Sequence, residues 1–181
     1  MKRVNFLVIA LLCTALATQS YAQEKDHLSS KKGETSLGIG LGLPYGGIGG
    51  RIGTNVTYGL TIFGGLGYMI SGVGYNIGLL KDFPSKASTQ FYLSAMFGTN
   101  AAIRVEGLSE YNEVYTGPSF GLGIKINSRR KEGNFWDIGL QVPITSQAFK
   151  DDEMRVENDP RVGDFTDPLP VLIVVGYNFN L

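Results

Sequence analysis

Ser36-Leu37-Gly38-Ile39-Gly40-Leu41-Gly42-Leu43 places a large apolar side chain at every odd position and a glycine or serine at every even one. Successive side chains of a strand point to opposite faces, so this stretch predicts a strand with one bulky apolar face and one small face. The same pattern returns along the chain. Ile48 and Ile52 alternate with Gly47, Gly49, Arg51 and Gly53, and Leu60, Ile62, Leu66 and Tyr68 with Thr61, Phe63, Gly65 and Gly67. Val73 to Leu80, Phe91 to Gly98, Ser119 to Ile126, Trp136 to Ile144 and Leu169 to Leu181 continue it. Eight strands result, and no stretch shows a useful helical period.

The faces differ in an unusual way. The small face is mostly Gly, Ser and Asn, with only Arg51, Lys125 and Asp137 charged in these runs. Residues 52–80 carry no charge at all, and charged residues are 18% of the chain against roughly 25% in soluble domains. Such a face is a poor water-facing exterior but suits the cramped interior of a narrow barrel. The bulky face then meets lipid. Only a closed sheet can cross a bilayer as β structure, because an open edge leaves backbone groups unpaired in hydrocarbon. The expected fold is therefore an all-β, eight-stranded antiparallel up-and-down transmembrane β-barrel spanning residues 34–181.

Residues 1–22 are read as a secretory signal. Lys2 and Arg3 precede the apolar run Phe6 to Leu12, and Ser20-Tyr21-Ala22 offers small residues for a cut before Gln23. Cys13, the one cysteine, lies inside the signal, and Leu12 before it does not fit a lipid-attachment site. Removing 1–22 leaves 14 basic against 16 acidic residues, a net charge of −2. Neither that balance nor the absence of a basic face fits nucleic acid. Residues 23–33 form a polar leader on the periplasmic side. With the chain starting there, the odd connections are external. The two longest, 99–117 and 145–168, are the fifth and seventh; those around 54–58, 82–88 and 127–134 are short and periplasmic.

These alternating runs, with the C-terminal Val171-Leu172-Ile173-Val174-Val175-Gly176-Tyr177-Asn178-Phe179-Asn180-Leu181, resemble the small eight-stranded outer-membrane β-barrels of Gram-negative bacteria, the OmpA/OmpX type. The resemblance implies location in the outer membrane, contact with its lipid, and handling by the barrel assembly machinery. It differs from the usual pattern in ending on Leu181 rather than an aromatic residue. It implies no particular activity.

Competing motifs are weaker. Gly38 to Gly42 and Gly64 to Gly67 lack the helix that a phosphate-cradling loop requires. The only histidine, His27, sits in the leader, away from any barrel rim where it could act as a base. The acidic run from Asp151 to Asp167 matches no calcium-loop spacing and reads as a mobile external loop. No cofactor, metal or catalytic residue is therefore expected. The leading expectation is a non-enzymatic structural or surface-interaction protein acting through 99–117 and 145–168. A narrow channel or lipid-handling barrel is the alternative, and a soluble secreted lipocalin-like barrel a third.

One cluster is expected inside. If the turn after the sixth strand centres on Lys131, then Lys125 and Asp137 fall opposite each other, both facing inward. Arg51 and Glu34 share that inward phase near the same end. Glu34, Arg51, Lys125 and Asp137 are expected to form a lumen charge cluster.

Overall fold

The computed structural model describes residues 32–181 apart from 70, 86, 106, 107, 109, 110 and 163–168. The expected signal at 1–22 and most of the leader lie outside the described residues. Eight strands follow in order: β1 (Thr35–Gly42), β2 (Gly47–Thr57), β3 (Leu60–Met69), β4 (Gly72–Asp82), β5 (Thr89–Ile103), β6 (Glu113–Asn127), β7 (Phe135–Pro143) and β8 (Leu172–Asn180). Each pairs antiparallel with the next, and β8 returns to β1 from Ser36↔Asn180 to Leu41↔Val175, closing the barrel. Every strand of the closed ring thus has a paired neighbour on both sides.

The alternation dictates what each face holds. Ile39, Ile48, Leu66, Ile77, Phe91, Leu122, Leu140 and Ile173, one from each strand, all point outward and are exposed. The residues between them turn inward, and many are glycine. The N-terminal end of β1, the C-terminal end of β8 and the β2–β3, β4–β5 and β6–β7 turns lie at one mouth, the termini mouth; the β1–β2, β3–β4, β5–β6 and β7–β8 connections leave the strands at the other, far mouth. Turn chemistry fits: Gly59 (φ 69°) and Gly133 (φ 85°) take left-handed conformations at the termini mouth.

Three expectations need correction at the far mouth. Leu43 does not stay on the outward face. After Gly42 (φ 111°) the chain leaves the ladder and turns into the lumen as a short 3-10 turn, Leu43–Tyr45, ended by Gly46 (φ 70°). Pro44 lacks the N–H that a continuing strand would donate, and the two glycines supply the backbone conformations that reverse it. Leu43, Pro44 and Tyr45 are all buried.

The fifth connection is also shorter than 99–117. β5 runs on to Ile103 and β6 begins at Glu113, so a long hairpin rises beyond the barrel and only 104–112 connects it. Residues 99–103 and 113–117 continue the pairing through a bulge near Asn100, which is why they read as irregular.

The seventh connection, 145–168, is not simply a mobile loop. It contains a helix, α1 (Gln147–Glu157), capped by Ser146, whose hydroxyl accepts from the Phe149 N–H at 3.2 Å. Phe149 and Val156, seven residues apart and so on one face, pack on Ala101, Ile103, Val105 and Tyr115 of the raised hairpin. Tyr115 meets Phe149 edge-on at 5.2 Å and donates to Asp152 at 2.9 Å. Tyr111 donates to Asp159 at 2.7 Å. The Arg161 guanidinium, with help from that hydroxyl, holds the Asp159 carboxyl well below the usual carboxylate range. The helix and hairpin thus make a small second core above the far mouth.

Candidate functional site: the polar interior

Asp137 on β7 is wholly buried, and the interior is organised around it. Its Oδ2 pairs with Arg51 of β2 at 2.8 Å and accepts from the Tyr45 hydroxyl at 3.1 Å. Its Oδ1 accepts from the Tyr92 hydroxyl of β5 at 2.6 Å. Arg51 also donates to Asn178 Oδ1 of β8 at 2.9 Å, and Asn178 Nδ2 donates to the Tyr45 hydroxyl at 3.0 Å. The guanidinium lies over the Tyr45 ring, 4.7 Å from its centroid, and within 5.6 Å of that of Phe63. A buried carboxylate is tolerable only when paired and hydrogen-bonded, and here one guanidinium and two hydroxyls converge on it.

A second ion pair lies nearer the termini mouth. Lys125 of β6 bonds Asp82 of β4 at 2.8 Å, with the ammonium 5.0 Å from the Phe135 ring centroid. Towards the far mouth, Gln141 donates to Ser94 at 3.0 Å, and Asn76 holds the inward turn by donating to the Leu43 carbonyl at 2.8 Å. Leu43, Phe63, Leu80, Tyr92 and Met96 form an apolar layer beside these groups.

The inward glycines are the seats for this filling. A Cβ at Gly40 would come within 2.9 Å of the Tyr45 ring, and one at Gly176 would run into its hydroxyl. Cβ atoms at Gly49, Gly65 and Gly67 would strike the backbone of Pro44 or Tyr45. Gly123 and Gly139 leave room for Tyr92, whose hydroxyl would lie 2.5 Å from a Cβ at either. A lumen lined by glycine is here a lumen occupied by a turn and two tyrosines.

The expected cluster is partly rearranged. Lys125 and Asp137 are register partners, with the turn at 128–134 between them. Their ion pairs, however, go across the lumen rather than along the ladder: Asp137 to Arg51, Lys125 to Asp82. The narrow interior brings strands that are not ladder neighbours into reach, and Asp137 already receives three donors. Glu34 does not sit at this level. It precedes β1, where its carbonyl accepts from Asn55 N–H at 2.9 Å. Asn55 is four residues along β2 from Arg51, about 13 Å at roughly 3.3 Å per residue.

Asp82 takes the place foreseen for Glu34, balancing two positive charges with two negative ones. It was readable: it continues the inward phase of Asn76, Gly78 and Leu80. Tyr92 and Asn178 also lie on the inward phase, without any local sign that they would meet Asp137. Tyr45 carried no signal, because its position depends on the chain leaving the strand at Gly42. No family model, curated protein or solved structure matches the chain, so the reading rests on these contacts and on the two faces of the sheet.

Proposed function

We propose that this is an outer-membrane β-barrel protein of the small Gram-negative type, with a non-enzymatic structural or surface-interaction role. The observation that carries the reading is the inversion of its faces. Large apolar side chains are exposed on all eight strands, while two ion pairs lie buried within. Soluble monomers rarely expose contiguous apolar patches above a few hundred Å², and this one would encircle the molecule. Lipid is the medium that removes that cost. Among the described residues no helix is long and apolar enough to cross a membrane, and a closed barrel is the form in which strands can cross one.

Two features favour a closed barrel over a channel. The inward turn Leu43–Tyr45 occupies the lumen, and its charged groups bind one another. The external contact surface is then the fifth and seventh connections within 99–117 and 145–168, where the raised hairpin and α1 present a formed platform. The test joins cell fractionation with planar-bilayer recording. The protein is expected in the outer-membrane fraction, released only by detergent, and electrically silent. Recovery without detergent would overturn the membrane reading, and stable openings would overturn the closed-barrel reading.

A further inference from the structure

The two mouths differ in charge. Apart from the buried Lys125–Asp82 pair, the described charged side chains at the termini mouth are Lys32, Lys81, Arg129, Arg130 and Lys131 against Glu34 and Glu132. The far mouth has the reverse balance, six acidic against four basic. The basic groups concentrate in one hairpin tip. The β6–β7 turn is closed by Ser128 N–H donating to the Asn134 carbonyl at 2.8 Å, which leaves Arg129, Arg130 and Lys131 exposed at its end.

Directly beside this tip, on the outer face, stands an aromatic ladder. Trp136 meets Tyr177 edge-on at 5.0 Å, and Tyr177 meets Phe179 at 4.9 Å. Asn134, at the base of the turn, donates to the Tyr177 hydroxyl at 3.2 Å, tying the tip to the ladder. Aromatic rings of this kind settle at the headgroup level of a bilayer. Basic side chains one turn beyond them would therefore lie among the lipid headgroups.

We infer that the Arg129-Arg130-Lys131 tip, with the Trp136 ladder, is a recognition surface for anionic phospholipid headgroups in the leaflet at the termini mouth. Opposite charge supplies the selection, since each Lys or Arg near an anionic surface is attracted by it and the attraction fades with salt. The ladder fixes the depth at which the tip meets the headgroups. This rests on the membrane reading above, and its test separates the two.

Trp136 is the chain's single tryptophan, so it reports on the lipid at this site without competition. The full protein is reconstituted into vesicles mixing phosphatidylcholine and phosphatidylglycerol, with bromine on the acyl chains of one lipid or the other. Quenching of Trp136 is expected to be about threefold stronger, per mole, from the brominated anionic lipid at low salt. The preference is expected to vanish in the triple variant Arg129→Gln, Arg130→Gln, Lys131→Gln, and to shrink in 0.5 M salt. These positions are exposed at a turn tip, and an unchanged β-type circular dichroism spectrum confirms the variant's fold. Equal quenching by both lipids in the native protein, or a preference that survives the triple change, overturns the inference while leaving the barrel in the membrane. No quenching by either lipid overturns the membrane reading itself.

Discussion

Asp137→Ala is expected to lower the stability of the barrel in lipid vesicles by about 3–5 kcal/mol, the cost of leaving a buried charge without its partner. The change strands Arg51, which is 5% exposed and lies beneath the inward turn. It also deprives the Tyr45 and Tyr92 hydroxyls of their acceptor. Asp137→Asn is expected to cost less, because the amide oxygen still accepts, although Arg51 loses its counter-charge. Asp151→Ala on the exposed face of α1 removes only a contact with Gln147 and should change stability by less than about 0.5 kcal/mol. Reversible urea unfolding measures all three. Equal, small effects for Asp137→Ala and Asp151→Ala would show that the buried hub contributes nothing.

Tyr45→Ala should cost a comparable amount, about 3–5 kcal/mol, by opening a cavity at the centre of the lumen. Tyr45 is fully buried, and five glycines on four strands are shaped around Leu43–Tyr45. Tyr45→Phe keeps the ring against Arg51 and loses only the hydroxyl, so about 1–2 kcal/mol is expected. The seat can be tested from the other side. Gly176→Ala pushes a methyl into the Tyr45 hydroxyl and should cost about 1–3 kcal/mol by overpacking. In the Tyr45→Ala background the same change should be nearly neutral, because the obstructing group has gone. A double-mutant cycle with strictly additive effects would contradict the seat.

The strands were legible because period two is a local property: large residues at 37, 39 and 41 declare a face without knowledge of what lies opposite. Phase was legible for the same reason, which is how Arg51, Lys125 and Asp137 could all be placed inside. Register across β6 and β7 followed from the centre of one short turn. What escaped was whatever depended on distant walls of the barrel. Lys125 had two carboxylates within the lumen, and only the three-dimensional path of β4 decides that Asp82 receives it.

Leu43 shows the limit of extrapolating a pattern, since Pro44 and Gly46 end the strand one residue earlier than the alternation does. α1 escaped because its apolar signal is slight: a serine cap and two buried apolar residues a heptad apart, set in a polar connection. Those two residues acquire a partner only when the β5–β6 hairpin extends past the barrel.

On the proposed reading, the apolar face of the strands meets hydrocarbon and the small face does not. Nitroxide scanning along β6 in phospholipid vesicles tests it most directly, and the sole cysteine, Cys13, lies in the expected signal and leaves the strands free for labelling. Labels introduced at Phe120, Leu122 and Ile124 are expected to be reached by apolar oxygen and shielded from a water-soluble nickel chelate. A label replacing Lys125, the longest inward side chain of the strand, should show low access to both. High nickel access at 120, 122 and 124, with no alternation along the strand, would contradict the account.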